Sequence, residues 1–199
     1  MDPTHDTQDV GRAARRVMDQ LVAHGFGVQT REWQELWNLT VVGIEHARSC
    51  VTVAAGDGYL RWDYQPHTGP AASPAALAGI VLYLFGAATT GLPPDQEAYP
   101  SFLLKGAVGR LLDDRGLKVE LLTYQDLESF DVIAEISATH PGKPGLGAIR
   151  VTDHGDLEWE CSAADAFGGD PGAIVPLIAP VLRQPIPSRP PRRTAPARP

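Results

Sequence analysis

The sequence predicts an α+β protein made of two tandem, diverged α-β-β-β-β-α units, each an antiparallel meander sheet covered by helices on one face. Three observations carry that prediction. The first is an internal echo. At a displacement of 91 residues Val17 falls on Val108, Leu21 on Leu112, Gly25 on Gly116 and Val28 on Val119, and the match runs on from Trp33/Tyr124 to Val41/Val132. At a displacement of 97, Gly58 falls on Gly155, Leu60 on Leu157, Trp62 on Trp159 and Pro74 on Pro171. Self-similarity at a fixed spacing is the mark of a repeated architecture. The change from 91 to 97 implies six residues inserted in the second copy, placed in the Gly/Pro-rich stretch 141–147 because loops tolerate insertion. The second observation is the order of periods within each copy, first helical, then alternating, then helical again. The third is the punctuation at matching places, with Gly closing the first helix and Pro opening the last.

Taken in order, Ala14, Val17, Met18 and Leu21 share one face of an opening helix, while Arg12, Arg15, Arg16 and Asp19 turn away. His24-Gly25 and Arg115-Gly116 end the two opening helices alike, with a left-handed glycine beside a cation at the negative helix end. Phe26, Val28 and Thr30 alternate with polar neighbours as a half-buried strand does. Residues 38–44 and 50–53 are β-branched and read as the next two strands. Asp57-Gly58 supplies the turn of a hairpin, and residues 151–156 repeat the device one residue shorter. Leu60 and Trp62, like Leu157 and Trp159, then point to one face, both tryptophans being expected between sheet and helix. Ser73-Pro74 and Asp170-Pro171 pair a polar cap with a proline at the first helical position. The second closing helix carries Pro176 and Pro180, which should kink it. The resulting division is a flexible N-terminus at 1–10, a first repeat at 11–88, a linker at 89–100, a second repeat at 101–184 and a disordered Pro/Arg-rich tail at 185–199. Whether the two sheets join edge to edge or pack face to face is left open by the pattern.

Composition narrows the function classes. The net charge of −7 is unevenly spread, since the tail holds four arginines and no acid and leaves the body at about −11 without it. An acidic body repels nucleic acid and anionic lipid, so only the tail is suited to attract them. The first residues are acidic and polar rather than basic-then-apolar, which argues against an export signal. The longest apolar run, 75–88, falls short of the roughly 20 residues that span a bilayer. The expected compartment is the cytoplasm, with Cys50 and Cys161 as buried free thiols.

Chemistry-bearing patterns are weak throughout. The six histidines lie in turns or termini, with no pair at metal-ligand spacing on a helix. Gly168-Gly169-Asp170-Pro171 reads as a helix cap, lacking the further glycines and the lysine of a phosphate loop. Glu158/Glu160 and Arg61/Asp63 read as the solvent sides of their strands. No catalytic residue, cofactor or metal ligand is therefore assigned, and an enzyme is not expected. Two features are candidates for partner binding. Trp33 and Trp37 flank Gln34-Glu35-Leu36 in the connection after the first strand, either as an interface anchor or as a lid over the sheet. Arg189, Arg192 and Arg193 sit in a proline-rich setting suited to a polyproline II ligand or an anionic-surface tether.

The stretch 56–84, GDGYLRWDYQPHTGPAASPAALAGIVLYL, resembles the C-terminal part of YbjN-type proteins, and HGDLEWECSAADAFGGDPGAIVPLIAPVL at 154–182 resembles it less closely. Those proteins resemble type III secretion chaperones in fold, so the likeness implies a small acidic module that works by protein binding without a cofactor. It departs in carrying two such units, and no residue role carries over. The expectation is a non-enzymatic protein-binding module, chaperone-like or an adaptor, whose partner is another protein. The alternatives are an immunity or antitoxin-like inhibitor and weak nucleic-acid binding through the tail.

Overall fold

Pro3 opens the first helix, where its missing N–H would have had no intrahelical acceptor. The computed structural model describes residues 3–33, 39–54, 58–65, 73–93, 101–125, 132–152 and 155–184. Helix α1 (Pro3–Ala23) takes in residues 3–10, the stretch set apart in the sequence as an N-terminal segment. Its buried stripe is the expected one: Ala14, Val17 and Leu21 are buried and Met18 is half-buried. Gly25 comes next with a positive φ, and Gly116 does the same after α3 (Ser101–Asp113).

Strands β1 (Val28–Trp33), β2 (Leu39–Ile44), β3 (Ser49–Ala54) and β4 (Tyr59–Tyr64) form one antiparallel meander. Strands β5 (Lys118–Gln125), β6 (Val132–Thr139), β7 (Ala148–Val151) and β8 (Leu157–Ser162) form the other. The meanders join edge to edge through β4 and β8, giving a single eight-stranded antiparallel sheet in the order β1-β2-β3-β4-β8-β7-β6-β5. The order runs inward from both edges to the central pair, where Trp62 stands directly opposite Trp159.

Helix α2 (Pro74–Leu84) begins as its sequence announces, the Ser73 hydroxyl accepting from the Ala76 N–H at 3.2 Å. The closing segment of the second half differs from expectation. Asp170 caps Gly172 N–H at 3.0 Å, but the chain then forms a 3-10 turn (Pro171–Ile174) that passes into α5 (Val175–Leu182). The switch leaves Pro176 in the first turn of α5, where no donor is required, and only Pro180 inside it. A short helix not anticipated from the pattern, α4 (Ala163–Phe167), precedes this segment.

Among the described residues, the buried apolar side chains of the sheet lie on one face. Val42, Val51, Val53, Leu60, Trp62, Ile149, Val151, Leu157 and Trp159 are fully buried beneath the helices. Each such side chain stabilises the fold by about 1.5–3 kcal/mol. The helices contact one another in the sequence α1, α5, α2, α3. Each closing helix thus lies beside the opening helix of the other half. Arg183, just past α5, donates to His24 O at 2.8 Å and lies over the Phe26 ring, while Arg115, just past α3, donates to Ala88 O at 3.3 Å. The two halves are interlocked rather than laid side by side.

The register corrects part of the sequence match. Val41 alternates with buried Val42, whereas Val132 keeps step with buried Ile136, so this matched pair falls out of phase. The cause is loop length: five residues separate paired Trp33 and Leu39, but six separate paired Gln125 and Val132. One extra residue flips every later side chain relative to the match. The β6–β7 connection, 140–147, is eight residues against four for β2–β3, 45–48, so the added length there is four rather than six. The final hairpin is one residue shorter in the second half, as expected, with five residues between Val151 and Leu157 against six between Val53 and Leu60. Among the described residues no helix is long and apolar enough to cross a membrane.

Candidate functional site

The residues singled out from sequence are not brought together. Trp33 is the last residue of edge strand β1, paired with Leu39, and so belongs to the sheet rather than to the connection after it. Trp37, Arg189, Arg192 and Arg193 lie outside the described residues, as does the rest of the 185–199 tail. The cysteines behave as expected of free thiols, since they lie on opposite faces: Cys161 is buried under the helices and Cys50 is half-buried on the other side. Burial pushes the Cys161 thiol up to about 12, and burial together with Asp63 pushes Cys50 up to about 11. Neither is a reactive thiolate near neutral pH.

Among the described residues no cluster of three or more His, Cys, Asp or Glu side chains is placed to hold a metal ion. His140 accepts from Gly142 N–H at 3.0 Å and packs at 6.1 Å from the Phe85 ring. Asp170, besides its capping bond, lies 3.6 Å from Arg16, which gives it a structural role in both contacts.

What the fold does assemble is a charged array at the middle of the sheet's helix-free face. Alternation turns Arg61 and Asp63 of β4, Glu158 and Glu160 of β8 and Arg150 of β7 away from the core, and the β4–β8 pairing sets Arg61 opposite Glu160 and Asp63 opposite Glu158. Arg61 reaches Asp63 at 2.7 Å, Glu158 at 3.0 Å and Glu160 at 3.7 Å. Arg150 reaches Glu158 at 3.1 Å and also hydrogen-bonds Glu160. These side chains are 21–35% exposed, too wet for a core and too covered for an ordinary rim. Burial depresses the Arg61 guanidinium, but Asp63, Glu158 and Glu160 outweigh it and the net shift is upward. Burial raises the Glu158 carboxyl above its ordinary range against the pull of Arg61 and Arg150. Burial, then Glu160, raises the Tyr59 phenol at the edge of the array.

The signal for this array was present in the outward alternation of all five residues. The missing piece was the β4–β8 pairing, which no local pattern specifies and which alone brings the two sets within reach.

A second feature lies on the helix side. The end of α2, the 3-10 turn Pro144–Leu146, α4 and α5 line an open groove of about 420 Å³. Lys143 lines it and donates from Nζ to Phe85 O at 2.6 Å, neutralising the C-terminal end of α2.

No family model matches the chain, and neither a curated protein nor a solved structure matches it.

Proposed function

We propose that the chain is a non-enzymatic protein-binding module, an adaptor or chaperone-like partner, and that it binds another protein through the helix-free face of its sheet. The observation that supports this reading is the charged array at the β4–β8 junction. Ion pairs half-withdrawn from solvent in this way are modest sources of stability at best. At an interface the same groups give register and selectivity, because a wrong partner leaves them desolvated and mismatched. Guanidiniums and carboxylates in alternation suit a partner surface that itself carries both signs of charge. They do not suit a polyanion, which would face the carboxylates of Asp63, Glu158 and Glu160. The resemblance of the closing hairpin and helix to YbjN-type proteins points the same way, as does the acidic body.

We also infer that the two halves are diverged copies of one unit. The inward-running strand order, the matched tryptophans and the exchanged closing helices support this, while the one-residue phase change between β1–β2 and β5–β6 marks how far they have drifted.

The test is site-resolved cross-linking in the native cell. A photo-reactive phenylalanine analogue replaces Thr52 or Ser137 on the helix-free face, or exposed Asp19 on α1. A discrete protein adduct from the first two positions and none from the third is the expected result. Adducts from no sheet position, together with turnover of a small molecule by the pure protein, would contradict the reading.

A further inference from the structure

The cleft on the helix side is built by the longer β6–β7 connection of the second half, whose 3-10 turn forms one wall against the end of α2. Its volume is about 420 Å³, and it is a groove open to solvent rather than an enclosed pocket. Leu84 and Phe85 are buried at its back, and Leu146 and Leu177 are half-buried along its sides. Gly145 keeps the turn pressed against α4, because a Cβ there would stand 2.6 Å from the Asp165 carbonyl oxygen. Two opposite charges, Lys143 and Asp165, line the same cleft and are exposed. Lys143 commits one N–H donor to Phe85 O and keeps two for a ligand. Among the described residues no ion pair joins Lys143 to Asp165, so the two charges front the cleft separately.

We propose that this cleft binds a free α-amino acid with a large apolar side chain, its carboxylate on Lys143, its ammonium on Asp165 and its side chain against Leu146 and Leu177. An apolar anion would meet the Asp165 carboxylate, and an apolar cation would meet the Lys143 ammonium. A zwitterion offers each of the two charges its opposite and leaves its side chain for the apolar walls. The site lies on the opposite side of the sheet from the protein-binding face, and the inference does not rest on that reading.

The experiment titrates L-phenylalanine into the full chain by calorimetry and by amide chemical-shift mapping. Saturable binding with shifts concentrated at 83–86, 143–146, 165–166 and 177 is expected. Phenylpropionate, phenethylamine and glycine each lack one recognised group and should bind about ten-fold more weakly or worse. Lys143→Met and Asp165→Asn should each weaken L-phenylalanine by about ten-fold or more. Asp165→Asn alters only an exposed carboxylate, so its result stands even if loss of the Lys143 contact to α2 destabilises the fold. The proposal is overturned if L-phenylalanine produces no saturable shift, if phenylpropionate binds as tightly, or if Asp165→Asn leaves the affinity unchanged.

Discussion

The two halves of this molecule solve one packing problem with different parts. Trp62 and Trp159 face each other across the central strand pair, and both are fully buried. A buried indole N–H needs an acceptor, and here the halves diverge. Trp62 donates to the Ser49 hydroxyl at 2.6 Å, at the start of β3. Trp159 donates to the Leu146 carbonyl at 2.7 Å, in the 3-10 turn. Both acceptors lie thirteen residues before their tryptophan. The rings also stack differently, Trp62 parallel to Tyr64 at 5.2 Å and Trp159 edge-on to Phe167 at 6.0 Å. The positions that fill the core agree in kind, whereas the connections beside them do not. In the first half a four-residue turn leaves a side chain to satisfy the indole. In the second half eight residues supply a backbone carbonyl, the Lys143 contact to α2 and one wall of the cleft.

The sharpest way to break this comparison is to truncate each tryptophan. Trp62→Ala and Trp159→Ala should each lower the unfolding free energy by about 3–5 kcal/mol in urea titrations. Near-equal losses are expected, and a loss under about 1 kcal/mol at either site would mean that the two do not share one role. The acceptors separate the halves. Ser49→Ala leaves the Trp62 N–H buried and unsatisfied, at about 1–3 kcal/mol. Leu146→Ala retains the carbonyl that Trp159 uses, and should leave that hydrogen bond in place. Indole N–H exchange, slow for Trp159 in Leu146→Ala and faster for Trp62 in Ser49→Ala, is the measurement that tells them apart.

The cysteines sharpen the comparison at high pH. Both thiols hold their protons in the fold beyond the ordinary value of 9.0, Cys50 to about 11 and Cys161 to about 12. The unfolded chain therefore ionises first as pH rises past 9.0, and the native state binds the extra protons. Stability is complete below that pH and falls above it, by at most about 1.4 kcal/mol per unit for each thiol and by less for half-exposed Cys50. Urea midpoints at about pH 8 and pH 10 in the parent and in a Cys50→Ala/Cys161→Ala variant should show a shallower fall in the variant. An identical fall would place the alkaline loss elsewhere.

The smallest effect is expected from the tail. Residues 185–199, outside the described residues, contain six prolines, four arginines and a single large apolar residue, Ile186, so they offer the body little apolar surface. Removing them should leave the melting temperature unchanged, and a fall of several degrees would show that they dock on the body.

Much of the fold was legible because its signals are local. Ser73-Pro74 announces α2, the alternation around Trp62 and Trp159 fixes which face is buried, and Gly25 and Gly116 close their helices where expected. What was not legible is non-local or turns on a single residue. Nothing in the residues of β4 names β8 as its neighbour, so Arg61, Asp63, Glu158 and Glu160 read as unrelated solvent edges rather than as one charged array. The one-residue difference between the β1–β2 and β5–β6 connections escaped because matching residue types, such as Val41 and Val132, concealed opposite phase. Pro176 reads as a kink because sequence alone does not show a helix restarting at Val175.

The central claim is that the two halves form one sheet through β4 and β8, and cross-strand nuclear Overhauser effects test it most directly. Antiparallel partners bring opposed Cα atoms to roughly 4.5–5.5 Å, close enough for strong backbone contacts. The account predicts a ladder joining Leu60 to Cys161, Trp62 to Trp159 and Tyr64 to Leu157, with the amides of these strands the slowest to exchange. A β4 whose amides exchange as edge-strand amides do, with no contacts to β8, would contradict it.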